Sequence, residues 1–252
     1  MSLTTHETRF YEENGYLLRK GLVPLDWIAD VEREVDRIHE RMAEHPAAGV
    51  GIAWEEFDEP DHPPRIKQLM HSEVISATLN RILRCDAMLD IVEDLIGSDI
   101  SLYHSKLLPK AGGDGTAIPW HQDYAYWKTD DNRPAMVNCQ LAIRRCNLEN
   151  GCICFVPGSH RGGLQEHERS RETFGVYLPG HYRERDDAVA VEMEPGDGVF
   201  FNALIVHGSA PNRSAEDRLM NTFAYNVTGN GVTQSREELR SRPHARSGVS
   251  CD

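Results

Sequence analysis

Apolar residues recur at helical spacing through the first hundred positions and then alternate with polar ones in short bursts. Thr5 to Asn14 reads as a short amphipathic helix stopped at Gly15, and YLLRKGLV as a brief strand and turn. Ile28, Val31, Val35, Ile38 and Met42 repeat every three or four residues and predict a helix over Leu25 to His45, with Pro24 and Asp26 at its start and Pro46 at its end. AAGVGIAWEEFDEPDHPP is rich in Gly, Pro and acids and reads as a mobile loop. Ser72 to Leu83 and Asp86 to Ile96 predict two further helices, the second ended by Gly97.

The pattern changes at Asp99. ISLYHSKLL, IPWHQ, MVNCQLAI, CICFVP, AVAVEME, GVFFNALIVH and LMNTFAYNV are short β-like runs separated by Gly, Pro, Asp and Asn. Many short strands with turn signals between them predict an antiparallel sandwich or barrel. The expected architecture is mostly β with flanking helices, in one domain over residues 1–252. Residues 1–98 form a mainly helical part packed on the barrel, 99–228 the barrel core, and 229–252 a tail. From Thr233 onward that tail lacks an apolar face and is expected to be partly disordered.

Charge narrows the partners. With 27 basic and 40 acidic residues the formal net charge is −13, which argues against nucleic acid and against an anionic membrane surface. MSLTTHETRFYEENGY carries no basic and apolar leader, and the apolar runs are too short to span a bilayer, so the expected address is cytoplasmic. Cys85, Cys139, Cys146, Cys152, Cys154 and Cys251 lack the paired spacing of structural zinc knuckles and read as reduced, mostly core thiols.

Candidate chemistry centres on WHQDYAYW. In an extended strand, residues two apart face the same way, so His121 and Asp123 can converge on one point. Alone they read more readily as an ordinary structural ion pair. His207, between the apolar run FFNALIV and the polar GSAPNRS, supplies a third ligand at the mouth of a barrel. Two imidazoles and one carboxylate on one face leave positions open, an arrangement suited to non-haem Fe(II). Arg218 stands eleven residues past His207 and can grip a carboxylate bidentately, with Ser209 adding a hydroxyl to the same anion.

Taken together, WHQDYAYW, ENGCICFVPGSHRGGL, MEPGDGVFF and IVHGSAPNRSAEDR resemble the phytanoyl-CoA dioxygenase-like Fe(II)/2-oxoglutarate oxygenases, in order, from about Tyr16 to Tyr225. The resemblance implies a double-stranded β-helix, a jelly-roll of the cupin type. It implies His121, Asp123 and His207 as iron ligands, and Arg218 with Ser209 on the distal carboxylate of 2-oxoglutarate. Lys67, Lys106, His104 and Gln140 are weaker carry-overs to the co-substrate pocket. Tyr124, Trp127 and Asn138 are candidate substrate contacts beside the iron-bearing strand. PGSHRGG reads as a structural loop, with His160 outside the ligand set.

The implied cofactors are Fe(II), 2-oxoglutarate and O2. The implied reaction is hydroxylation of a small molecule, with 2-oxoglutarate converted to succinate and CO2. Desaturation, epoxidation, cyclisation or halogenation would use the same cofactors, and Asp123 speaks against halogenation alone. A non-catalytic, metal-binding, cupin-like sensor is the alternative of another class. The segment from Gly49 to Pro64 is expected to roof the barrel mouth.

Overall fold

A computed structural model describes residues 2–45, 51–55, 65–113, 115–169, 175–180, 185–231 and 238–240. Helix α1 (Thr5–Asn14) begins in a capping box, where Thr4 accepts from the Glu7 amide and Glu7 accepts from the Thr4 amide. It ends on Gly15, which takes the left-handed conformation open to a residue without Cβ. Helix α2 (Leu25–Glu44) buries Ile28, Val31, Val35, Ile38 and Met42, the stripe its periodicity marks. Each such side chain contributes about 1.5–3 kcal/mol.

The helix expected from Ser72 to Leu83 is two helices, α3 (Ser72–Ile75) and α4 (Ala77–Ile82). Ser76 breaks it: its backbone is extended, and its hydroxyl accepts from the Leu79 amide and donates to Glu34 of α2. A serine with such partners caps a new helix rather than continuing the old one. Helix α5 (Asp86–Ile96) ends at Gly97 as its sequence implies.

Fourteen strands follow the described chain: β1 (Tyr16–Arg19), β2 (Ile52–Trp54), β3 (Ile66–Met70), β4 (Ile100–Lys110), β5 (Ile118–His121), β6 (Met136–Ala142), β7 (Ile153–Phe155), β8 (Glu168–Arg169), β9 (Val176–Tyr177), β10 (Val189–Ala190), β11 (Gly198–Asn202), β12 (His207–Ser209), β13 (Arg218–Val227) and β14 (Glu238–Arg240). The large sheet runs β1-β11-β6-β13-β4-β3-β2, with β14 also paired to β4. The small sheet runs β10-β7-β12-β5, and β8 with β9 forms a separate ribbon. Every strand pair is antiparallel, and the two main sheets face each other as a double-stranded β-helix.

Two expectations need correction. The first 98 residues supply β1, β2 and β3 to the large sheet, and Ile52–Trp54, expected as loop, is the edge strand β2. GVFFNALIVH is two strands in different sheets, parted by a turn after Asn202. Beyond residue 231 the described residues are Glu238–Arg240, strand β14, where Arg240 is buried against Asp86, Asp90 and Glu93 of α5.

Alternation along the large sheet separates two environments. Val137, Cys139, Leu141, Leu219, Phe223 and Tyr225 join the core beneath the helices, and the Tyr225 hydroxyl donates to the Leu83 carbonyl at 3.0 Å. Gln140, Arg218, Met220 and Thr222 point the other way and line a cavity between the sheets. Replacing Arg240 with Met removes its three ion pairs with α5 and should lower stability by about 1–3 kcal/mol, read by urea unfolding.

Candidate active site

His121 closes β5 and His207 opens β12, and the two are directly opposite in the ladder. Their rings therefore share a face, with centroids 4.2 Å apart. His121 Nδ1 lies 2.8 Å from the Pro119 carbonyl, and His207 Nδ1 lies 3.0 Å from the Ile205 carbonyl. A carbonyl can only accept, so each Nδ1 carries a proton and Nε2 is the nitrogen each ring can offer to a metal. Those nitrogens face Asp123: His121 Nε2 is 3.6 Å from its Oδ1, and His207 Nε2 is 3.6 Å from its Oδ2. Such separations are too long for hydrogen bonds and suit three ligands around one ion. The ligand atoms of the three residues all lie within 4.8 Å of one another.

Asp123 does not reach this point along a strand. The strand ends at His121, and Asp123 has helical dihedrals at the head of α6 (Tyr124–Trp127). The Tyr124 amide donates to the Ala203 carbonyl, and the Tyr126 amide to that of Asp123, so the chain is turning there. Gln122, between the two ligands, is fully buried. Its amide group donates to the Gly163 and Leu204 carbonyls and accepts from the Gln165 amide, tying the turn to its neighbours.

Burial would raise the Asp123 pKa, but Lys106, His207 and His121 outweigh it and hold the carboxyl well below its usual range. Lys106 Nζ stands 3.8 Å from Oδ1, and Asn138 donates to Oδ2 at 2.8 Å. Burial, reinforced by His121, pushes His207 down to about 3. The site thus presents a carboxylate and a neutral imidazole, the protonation states a divalent metal needs.

A second polar cluster lies on the same cavity. Arg218 is buried, donating from Nη1 to the Gly151 carbonyl at 2.6 Å, while its Nε has no hydrogen-bond partner among the described residues. Ser209, two residues past His207, accepts from Lys110 Nζ at 2.7 Å. The cavity holds about 330 Å³ and touches the metal triad, Arg218, Ser209, Lys67, Lys106, His104, Gln140 and Trp127. That volume suits small molecules. Lys67 pairs with buried Glu55 at 3.4 Å and donates to Thr116. His104 is buried, neither ring nitrogen has a hydrogen-bond partner among the described residues, and burial with Lys106 nearby pushes its pKa well down.

Two candidate substrate residues lie elsewhere. The Tyr124 hydroxyl turns away to Asn132, and Tyr126 takes the place at the cavity wall, because α6 rotates successive side chains by a helical step. Asn138 sits behind Asp123 and holds it. Lys110, Glu55, Thr116 and Thr222 line the cavity without having been singled out by sequence. Lys110 was reachable by period: residues 106, 108 and 110 share a face, but Pro109 reads as a strand end. The structure accepts Pro109 because β3 pairs β4 only at Lys106 and Leu107, leaving that edge free further along. Of the expected lid, Gly51–Glu55 is ordered beside β3 with Glu55 on the cavity, and the remainder from Gly49 to Pro64 lies outside the described residues.

The family profile described as "Phytanoyl-CoA dioxygenase (PhyH)" matches residues 11–220. The chain belongs to the phytanoyl-CoA dioxygenase family. A probable phytanoyl-CoA dioxygenase of Caenorhabditis elegans is 32% identical over 230 residues, covering 84% of this chain and 72% of that protein. The human peroxisomal phytanoyl-CoA dioxygenase is 30% identical over 223 residues, and the match spans 84% of this chain but 65% of the human protein. Among solved structures, EctD from S. alaskensis with 2-oxoglutarate and 5-hydroxyectoine superposes with a TM-score of 0.71 at 20% identity, covering 96% of this chain and 82% of that one. That likeness establishes the shared fold. No described helix is long and apolar enough to cross a membrane.

Two outcomes follow for this member of the family. Asn138→Ala frees one side of Asp123 and should weaken metal affinity about 10–100-fold, measured by competition with a chelating dye. For the metal-free protein, unfolded imidazoles take up a proton near pH 6.5, whereas folded His207 resists until about 3 and folded His104 also resists. Stability is therefore fullest above pH 6.5 and declines as pH falls below it, by up to about 1.4 kcal/mol per pH unit for each imidazole. Urea midpoints at pH 7.5, 6 and 5 should fall in that order, and His104→Leu should flatten the decline.

Proposed function

We propose that the protein is an Fe(II)- and 2-oxoglutarate-dependent dioxygenase that hydroxylates an unactivated C–H bond of a small molecule. One observation carries this reading: a single cavity joins a His121–Asp123–His207 triad to a buried guanidinium with a free Nε. The donor set fits ferrous ion, since two imidazoles and a carboxylate on one side leave the other side for ligands. The opposite cluster fits a carboxylate, since a buried cation requires an anion.

In this reading His121, Asp123 and His207 hold the iron, with Asn138 and the two backbone carbonyls fixing their orientation. Arg218 and Ser209 take the distal carboxylate of 2-oxoglutarate, while Lys106, Gln140 and His104 border it nearer the metal and Lys67 borders the cavity beside Glu55. When bound, iron and its co-substrate activate O2, converting 2-oxoglutarate to succinate and CO2 and transferring oxygen to the substrate. Trp127 and Tyr126 wall the space beside the triad and orient the substrate carbon. Halogenation would need the place Asp123 occupies. A mere metal-binding barrel would have no use for a buried guanidinium beside an open cavity.

Succinate release is the test. With Fe(II), O2 and 2-oxoglutarate the wild type should form succinate slowly even without a substrate, and Asp123→Ala should reduce this at least about 100-fold through loss of metal. Arg218→Met should raise the KM for 2-oxoglutarate about 10–100-fold with a smaller change in kcat. A silent wild type with its metal bound would favour the sensor.

A further inference from the structure

Lys110 ends β4 and Arg218 begins β13, and the register places them directly opposite each other. Both are buried, with 2% and 3% of their surface exposed. Two cations facing across a ladder repel, and burial removes the water that would screen them. Among the described residues their hydrogen bonds go to no carboxylate: Arg218 donates to the carbonyls of Gly151 and Leu108, and Lys110 to Ser209 Oγ at 2.7 Å and the Ala210 carbonyl at 2.6 Å. Gly151 makes the approach possible. A Cβ there would come within 2.3 Å of the Ala210 oxygen and 3.2 Å of Lys110 Nζ.

Two donated bonds are what a neutral amine has to give; its third position holds a lone pair. Burial, and then the Arg218 charge, push the Lys110 pKa well below that of an ordinary lysine. The other charged or titratable groups acting on it are Glu55 after β2, Lys67 on β3 and Cys152 before β7, and Glu55 and Lys67 are paired with each other.

We propose that Lys110 is a second carboxylate-binding group at this end of the cavity, and that a dicarboxylate enters together with a proton that ends on its amine. The step forms one N–H bond from the Nζ lone pair and a solvent proton, with no change of oxidation state. The new N–H donates to the incoming carboxylate, while the existing bonds to Ser209 and Ala210 remain. Because Ser209 already accepts from Lys110, its own hydroxyl proton is free to point at the same ligand. The arriving anion offsets the repulsion that a protonated Lys110 would otherwise meet beside Arg218. The inference rests on the 2-oxoglutarate reading given above and adds to it a residue and a proton.

Calorimetric titration of the Zn(II)-loaded protein with 2-oxoglutarate, in phosphate and in Tris at the same pH, reads proton uptake directly, without turnover. The wild type should take up close to one proton per ligand, and its affinity should fall as pH rises, by up to about tenfold per unit. Lys110→Met should bind about 10–100-fold more weakly, with the uptake lost and the pH dependence flattened. Lys110→Arg, always charged, should lose the uptake as well. Thermal unfolding controls for the fold of each variant, and the wild-type comparison between buffers stands without them. Binding by the wild type with equal heats in both buffers, or uptake that persists in a folded Lys110→Met, overturns the proposal alone. A wild type that does not bind 2-oxoglutarate overturns the co-substrate reading and this inference together.

Discussion

His121 and His207 stand opposite each other on adjacent strands of the small sheet, and a slip of one residue between β5 and β12 would turn one imidazole to the other face. That register is the constraint on which the site depends. It is held from behind by β7, which pairs with β12, and at the end of β5 by buried Gln122. The carbonyls of Pro119 and Ile205 then settle which nitrogen each ring presents.

The large sheet supplies the complementary face. Its outer side is apolar and buried under α2, α4 and α5, which frees the inner side to carry polar groups without loss of the core. Those groups lie in rows across strands β4, β13 and β6. Lys106, Thr222 and Gln140 share one row, His104, Ala224 and Asn138 the next, and Lys110 faces Arg218 further along. An apolar row of Leu108, Met220 and Ala142 separates the polar rows from Lys110 and Arg218. The cavity floor is thus charged at its far end and hydrogen-bonding near the triad, as a ligand with a carboxylate at one end and a chelating group at the other requires.

Several members of the site are electrostatically unsatisfied as they stand. Among the described residues, neither ring nitrogen of His104, nor the Gln140 side-chain oxygen, nor the Arg218 Nε has a hydrogen-bond partner. Buried polar atoms normally find partners, so a concentration of idle ones around one cavity marks the place where a ligand completes the network. The protein spends stability to keep those groups facing an open space.

Residue order by itself determined the helices with a continuous apolar stripe and the β character after Asp99, and it offered the candidate ligands in WHQD and IVHGS, because helical and strand periods are local properties of the chain. It was misleading wherever a local run served two elements: Ser72 to Leu83 split at a serine that finds Glu34, and GVFFNALIVH divided between two sheets. Only the tertiary structure decided that Asp123 approaches the histidines from a helical turn, that Asn138 supports it while Tyr124 faces away, and that Lys110 meets Arg218. The physical reason is that periodicity tells which way a side chain leaves its own strand, while the partner it meets depends on which distant strand the fold lays alongside.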